Sequence, residues 1–331
     1  MKNLLVVAFN GMLDSSFSLT MDALRTANVL HARDGTMSRV RVAVVGHTRS
    51  IVTGGGLKLA TDYTFAELRH WPVVPDWIVI PGLGATTGEL IDARLKDPDM
   101  KGLMGLLRAA PESSRIGASC TSVFLLAQAG LLSGKPVTTT WWLAAVFRAR
   151  YPEIALDETK MLVQDGRLLT AGSAFAQLDL VLAIITDLLG SAIAHLCSRY
   201  LLIDQRPSQA RYMMPVHVQQ TDPAVVAAER WIDAHISGPI SITALASAMA
   251  MSTKTLSRRV VAASGVSPLK LVQRRRLLAA VHLIETTPMP IEAVASKVGY
   301  QDGTALRKII KRELATTPTA LRSDRGYECM P

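Results

Sequence analysis

The stretch Arg115-Ile-Gly-Ala-Ser-Cys-Thr-Ser-Val-Phe-Leu-Leu-Ala127 passes from an apolar strand pattern through small residues to a cysteine, then straight into a helix pattern. Strand, sharp turn and helix in that order present the residue at the turn, Cys120, on an elbow at a helix N-terminus. The positive end of that helix favours an anion, so the thiol is expected to tend toward thiolate. Working outward, apolar runs at residues 4–9, 40–45 and 77–80 alternate with helical patterns at 19–32, 100–109 and 122–129. Continuous apolar strands separated by helices specify an α/β doubly wound parallel sheet covered on both faces. Residues 161–171 read as a hairpin turning at Asp165-Gly166, and helical runs at 174–189 and 191–203 complete the domain.

A chain of 331 residues suits two domains of common size. With 49% hydrophobic and 19% charged residues, disorder is excluded and a sizeable core can form. The apolar run after Met1-Lys2-Asn3 is too short for a secretory signal, and the most apolar helix candidate, residues 178–189, carries Asp179 and Asp187 and falls short of a membrane span. The three cysteines, Cys120, Cys197 and Cys329, are widely spaced and include no CxxC pair. Neither a disulfide framework nor a metal site is expected, no cofactor is implied, and a reducing cytoplasm is the natural compartment.

The texture changes at Arg206-Pro-Ser-Gln-Ala-Arg-Tyr-Met-Met-Pro-Val-His-Val-Gln-Gln-Thr-Asp-Pro223, which is polar, holds three prolines and lacks periodicity. It reads as a linker between a domain at 1–205 and another at 224–331. Of the formal net charge of +9, residues 222–331 carry +6. A small basic domain attached to a near-neutral larger one points to a polyanionic partner, and with no apolar span of sufficient length no membrane partner is expected.

Two helical modules repeat within that basic domain, making it all-α. In the first, Ile242-Thr-Ala-Leu-Ala-Ser-Ala-Met-Ala250 is followed by a short turn, and Ser252 is suited to cap the helix Thr253-Lys-Thr-Leu-Ser-Arg-Arg-Val-Val261. Leu256, Val260 and Val261 supply its buried stripe, while Lys254, Ser257 and Arg258 share the opposite face, with Arg259 beside them. In the second, Ile291-Glu-Ala-Val-Ala-Ser-Lys-Val-Gly299 leads through a turn to Gly303-Thr-Ala-Leu-Arg-Lys-Ile-Ile-Lys-Arg312. There Thr304, Arg307, Lys308 and Lys311 face outward. One long helix at 269–286, bearing Arg274-Arg275-Arg276, joins the modules. Paired helix-turn-helix units on one rod can enter successive major grooves, each about 12 Å wide and roughly 34 Å apart. An ordinary helical bundle with solvated basic faces is the plain alternative, and the doubled module argues against it.

Residues 224–322 resemble the AraC/XylS family DNA-binding domain, through 242–261, the loop Ala263-Ser-Gly-Val-Ser-Pro268, the helix at 274–278, and Ala295-Ser-Lys-Val-Gly-Tyr-Gln-Asp302 leading to Thr317-Pro318. The resemblance implies double-stranded DNA and RNA polymerase as partners. It places base-reading positions on Lys254, Ser257, Arg258, Thr304, Arg307 and Lys308.

The elbow segment, together with Val79-Ile-Pro-Gly-Leu-Gly84, Ala129-Gly-Leu-Leu-Ser-Gly-Lys-Pro136 and Thr138-Thr-Thr-Trp141, is similar to the class I glutamine amidotransferase-like fold, specifically to ThiJ/PfpI-type sensor domains fused to AraC-type domains. Enzymes of that superfamily add a histidine and a glutamate to the cysteine. Here Thr140 occupies the histidine position and Ser16 the glutamate position, so catalysis is not expected. Cys120 then reads either as a structural elbow residue or as part of an effector pocket. The candidate walls are Ser16, Gly82, Leu83, Gly84, Cys120, Thr121, Thr140 and Trp141, with backbone amides at 82–84 and 120–121 available to a carboxylate. Trp141 can stack on a cation or belong to the core. The resemblance implies a homodimeric regulator, more often an activator, answering to an amino acid or quaternary amine. The rival reading is a cysteine-dependent hydrolase or deglycase with a helical interaction domain.

Overall fold

In a computed structural model that describes residues 1–33, 39–70, 73–204, 206, 208–213, 222–314 and 316–323, the four apolar runs become the centre of a seven-stranded sheet. The chain order is β1 (Lys2–Ala8), α1 (Asp14–Arg33), β2 (Val40–Gly46), β3 (Ser50–Val52), β4 (Lys58–Ala60), β5 (Tyr63–Thr64), β6 (Trp77–Ile80), α2 (Gly88–Leu95), α3 (Pro98–Arg108), β7 (Arg115–Ser119) and α4 (Ser122–Gln128). It continues with β8 (Pro136–Val137), α5 (Ala144–Arg150), β9 (Ala155–Leu156), β10 (Leu162–Asp165), β11 (Leu168–Ala171), α6 (Ala176–Leu189) and α7 (Ser191–Tyr200).

The sheet runs β10-β11-β7-β6-β1-β2-β5. Every pair is parallel except the edge hairpin β10–β11. Register is set at the centre by Leu5↔Ile78 and Ile78↔Ile116. Six of the seven β1 residues are buried, which is why the sequence shows an unbroken apolar run rather than alternation. The hairpin turns where Asp165-Gly166 was expected to turn it. The sequence reading passed over the small hairpin β3–β4, the two-residue strands β5, β8 and β9, and helices α2 and α5. Among the described residues no helix is long and apolar enough to cross a membrane.

The second part is helical: α8 (Pro223–Ala234), α9 (Ile242–Ala248), α10 (Thr253–Ser264), α11 (Pro268–Thr286), α12 (Ile291–Lys297), α13 (Gly303–Leu314) and α14 (Pro318–Ser323). Side-chain caps start α8, α9, α10 and α11 from Asp222, Ser241, Ser252 and Ser267. Each cap satisfies an otherwise orphaned amide and is worth about 1 kcal/mol. Two hydrophobic clusters lie along α11. Its first turns contribute Leu271 and Val272 to a core with Leu245, Leu256 and Val260. Its later turns contribute Leu277, Ala280, Val281 and Ile284 to a core with Val294, Leu306 and Ile310. One rod therefore seats both modules. Two members of the basic run serve the bundle itself: Arg275 pairs with Asp233, and Arg276 donates to Gly299 O at 2.9 Å and Gly238 O at 2.6 Å.

By contacts the chain divides into Met1–Leu143 with Glu153–Gln209, and Ala144–Pro152 with Ala210–Pro331. The sheet-bearing unit thus extends through Gln209, into the stretch read from sequence as linker.

Candidate functional site

β7 ends at Ser119 and α4 begins at Ser122, and the chain makes the turn by placing Cys120 at φ 55°. That left-handed conformation costs an L-residue of the order of 1–2 kcal/mol. It is held by the Cys120 N–H, which donates to Gly172 O at 2.7 Å, and by the Thr139 hydroxyl, which donates to Cys120 O at 2.7 Å. Ser122 fixes the far side by donating its hydroxyl to Pro81 O.

Gly82 is the meeting point. A Cβ there would lie 3.4 Å from the Cys120 Cβ and 3.5 Å from Ser16 Oγ. The loop after β6, the elbow and the start of α1 therefore converge, bringing Ser16, Gly82 and Cys120 together, with Thr121 next in the chain. Ser16, Thr121 and Thr140 are fully buried. Leu83 is different: it is among the largest fully buried side chains and belongs to the core. Gly84 is exposed and turns against the Gly11 carbonyl. Trp141 is buried with its ring edge-on to Trp142, centroids 5.5 Å apart.

Two electrostatic expectations are corrected. Burial pushes the Cys120 thiol above its ordinary pKa, outweighing the Thr121 amide and the Thr121 and Thr140 hydroxyls that lean the other way. The helix N-terminus does not win, because a thiolate there would have to be stripped of water. The Cys120 amide is also unavailable to a carboxylate, since it already serves Gly172.

What surrounds the sulfur is hydroxylic. The Ser16, Ser119 and Thr121 hydroxyls are buried without a hydrogen-bond partner among the described residues. Buried polar atoms are satisfied in the great majority of cases, so the orphaned hydroxyls of Ser16 and Thr121, close to Cys120, ask for a guest. The hydroxyls that bear on the thiol, Thr121 and Thr140, are not proton acceptors fit to activate it. Behind them stand residues that sequence reading missed. Thr140 Oγ1 lies 3.4 Å from Ser173 Oγ, and Ser173 bonds the side chain of Gln209. These partners come from remote segments, so local pattern gave no signal for them. No group of His, Cys, Asp and Glu able to hold a metal occurs among the described residues. An apolar cavity of about 720 Å³, also unforeseen, lies elsewhere in the sheet unit, lined by Leu5, Phe65, Ile78 and Leu106 with His47 and Lys101 at its polar points.

In the helical unit, Lys254 and Arg258 on α10 are exposed and Ser257 is half-buried beside them. On α13, Thr304, Arg307, Lys308 and Lys311 are exposed. Arg307 reaches back to Glu292 at 2.9 Å. The Glu292 carboxyl is held below its usual range by its own backbone amide first and Arg307 second. Arg259 turns away from its neighbour Arg258, as adjacent helix positions must, and grips Asp222.

Residues 2–187 match the DJ-1/PfpI family. The chain belongs to the DJ-1/PfpI family. Behind the DJ-1/PfpI unit, residues 245–324 match a helix-turn-helix domain. The HTH-type transcriptional regulator GlxA of Rhizobium meliloti (strain 1021) is 28% identical over 220 residues, 64% of this chain and 66% of that one. The HTH-type transcriptional regulator GbdR of Pseudomonas aeruginosa is 25% identical over 288 residues, 86% of this chain and 74% of that one. The isonitrile hydratase of Pseudomonas putida is 31% identical, over 44% of this chain and 58% of its own. A solved structure of a transcriptional regulator protein from Vibrio parahaemolyticus overlays with a TM-score of 0.51 at 20% identity, covering 60% of this chain and 98% of that one, and shares the fold. With both domains in place, the chain is a DNA-binding transcriptional regulator carrying a DJ-1/PfpI domain.

Proposed function

We propose that the DJ-1/PfpI unit is a catalytically silent sensor, that the elbow formed by Ser16, Gly82, Cys120, Thr121 and Thr140 receives a small effector, and that occupancy changes how the helical unit engages DNA. The observation that carries this is the pair of orphaned hydroxyls, Ser16 and Thr121, beside a cysteine whose neutral form burial favours. A site built for turnover needs a base within reach of its nucleophile and an acid for the leaving group. A site built to hold a ligand needs unsatisfied polar atoms and a closed boundary.

An amino acid or quaternary amine is the effector class favoured by the regulator architecture, with hydroxyls for its polar end and Trp141 for a cation. Lys254, Ser257, Arg258, Thr304, Lys308 and Lys311 are the residues offered to DNA, with Arg307 once it leaves Glu292. Dimerisation through the sheet unit, contact with RNA polymerase and an activating sign complete the reading. Doubling the DNA-binding units multiplies affinity without new contacts.

The likeness to isonitrile hydratase keeps a second reading in view, a cysteine-dependent enzyme. The test is a thermal-shift screen of the purified chain against amino acids and quaternary amines, paired with Cys120→Ser. A ligand that binds only the folded state raises the melting temperature with concentration. A hit whose binding and DNA response persist in Cys120→Ser supports the sensor. A hit that is consumed by the native chain and spared by Cys120→Ser overturns it.

A further inference from the structure

Gln209 lies in the proline-containing stretch that separates the two domains in sequence, yet it is only 2% exposed. Every hydrogen-bonding atom of its side-chain amide is engaged. Oε1 accepts from the Ser173 amide at 3.1 Å and the Ser173 hydroxyl at 3.0 Å. Nε2 donates to Thr139 O at 2.8 Å, and to Thr138 Oγ1 and Lys160 O at 3.2 Å each. The orientation of the amide is not arbitrary, because a backbone N–H can only donate and a backbone carbonyl can only accept.

The cradle thus offers donors to a carbonyl on one side and acceptors to an NH2 on the other. A primary carboxamide matches that pattern. A carboxylate does not, because one of its two oxygens would face the Thr139 and Lys160 carbonyls on the Nε2 side with no proton to share. Room for the flat amide exists because residue 172 is glycine: a Cβ there would lie 2.5 Å from Gln209 Oε1 and 2.6 Å from Nε2. The backbone is tied down as well. Gln209 N donates to Thr159 O at 3.0 Å, Ser208 Oγ to the same carbonyl at 2.7 Å, and Arg206 pairs with Asp179.

This cradle is continuous with the elbow. Thr139, whose carbonyl accepts from Gln209, sends its hydroxyl to Cys120 O. Thr140 Oγ1 lies 3.4 Å from Ser173 Oγ, and Ser173 Oγ donates to Gln209 Oε1. A molecule that takes the Thr140 and Ser173 hydroxyls for itself withdraws two of the five hydrogen bonds that hold the side chain of Gln209 if Ser173 moves.

We propose that the cradle is a carboxamide-binding subsite occupied in cis by Gln209, and that Gln209 is the latch tying the end of the sheet unit, at Ser208 and Gln209, to the state of the elbow. The proposal rests on the effector reading above only in naming what opens the latch. With the elbow empty, Gln209 is seated and Arg206, Ser208 and Gln209 are held within the sheet unit. With the Thr140 and Ser173 hydroxyls engaged by a ligand, Gln209 leaves and the segment is released.

The test is amide hydrogen exchange, read by mass spectrometry on the full chain, for Gln209→Glu and Gln209→Ala. The glutamate variant keeps size and shape while placing an oxygen where Thr139 O and Lys160 O require a donor. Exchange at the Ser208 and Gln209 amides is expected to quicken by roughly ten-fold or more in both variants, that being the worth of one or two lost hydrogen bonds. Peptides from β1, β6 and β7 are expected to exchange as in the native chain. Acetamide, the side chain severed beyond Cβ, is expected to restore protection to Gln209→Ala, whereas acetate is not. Unchanged exchange in Gln209→Glu overturns the latch, whatever becomes of the alanine variant, and equal rescue by acetate overturns the carboxamide assignment. The effector reading fails separately: quickened exchange with no ligand ever found at the elbow keeps the latch and removes its proposed trigger.

Discussion

Arg259 holds Asp222 with two hydrogen bonds, Nε to Oδ2 at 2.8 Å and Nη2 to Oδ1 at 2.5 Å, while the same Asp222 carboxylate caps α8 by accepting from the Ala224 amide at 2.8 Å. One carboxylate starts a helix and anchors α10 to it. The Arg259 guanidinium, chiefly by hydrogen bonding, holds the Asp222 carboxyl below its usual range. A carboxyl lowered by folding stabilises the native state above its unfolded pKa, near 4, and that contribution disappears as the pH falls through the lower folded value. Asp222→Ala is therefore expected to speed amide exchange in residues 223–234 at neutral pH, with a cap loss of about 1 kcal/mol. The gap between variant and native chain should close in acid. A gap that widens on acidification would show that the pair does not carry the stability assigned to it.

That pair also shows where sequence reading stops. Arg259 sits one position from Arg258, and chain pattern alone put it beside the others on a DNA face, because its partner lies 37 residues away. The strands and their order of burial were legible, since unbroken apolar runs such as residues 77–80 have no other stable home than a covered sheet. The Cys120 elbow was legible from strand, small residues and helix in succession. Its thiol was not, because burial is a property of the whole fold and outweighed the local helix field. Gln209 was invisible for the same reason: its partners come from positions 138–139, 160 and 173, and nothing around residue 209 hints at a core.

Arg258 and Lys308 are expected to read DNA, and Arg259 is expected not to. In a gel-shift series on DNA selected from a randomised library, Arg258→Ala and Lys308→Ala should each lose roughly 1–3 kcal/mol of discrimination between selected and scrambled sequence. Arg259→Ala should lower the stability of the helical unit while leaving the discrimination ratio of the folded fraction intact. Equal ratios for the native chain, Arg258→Ala and Lys308→Ala would remove these positions from the interface.

Glu292 holds Arg307 at 2.9 Å across an exposed surface. Exposed pairs of this kind contribute little to stability, typically below about 1 kcal/mol. Glu292→Gln is therefore expected to leave melting unchanged while freeing one more cation, so that DNA affinity rises and its dependence on salt steepens by up to about one counterion. A measurable drop in melting with no change in the salt slope would mean that the pair is structural.

Because burial raises the Cys120 pKa, the neutral thiol is the form the folded chain favours, and this preference contributes stability fully below the ordinary thiol range and is lost as pH rises through the folded value. Iodoacetamide at neutral pH should label Cys120 far more slowly than a free thiol, with labelling rising steeply in alkali or denaturant. Cys197 is buried and raised in the same way and serves as an internal reference. Rapid neutral labelling of Cys120, with Cys197 spared, would restore the nucleophile reading.

Ser16 separates a ligand site from a packing accident. Its hydroxyl is fully buried and unpaired, a state that costs about 1–3 kcal/mol of desolvation. Ser16→Ala removes the cost together with one small atom, so the unliganded sheet unit is expected to melt higher. The same variant should bind a thermal-shift hit more weakly, because the ligand loses the partner that the hydroxyl was waiting for. Stability and binding thus move in opposite directions, as they do where a fold tolerates an unsatisfied group for the sake of a guest. If Ser16→Ala melts lower without ligand and binds as well as the native chain, the hydroxyl is satisfied in solution and the elbow is not where the effector sits.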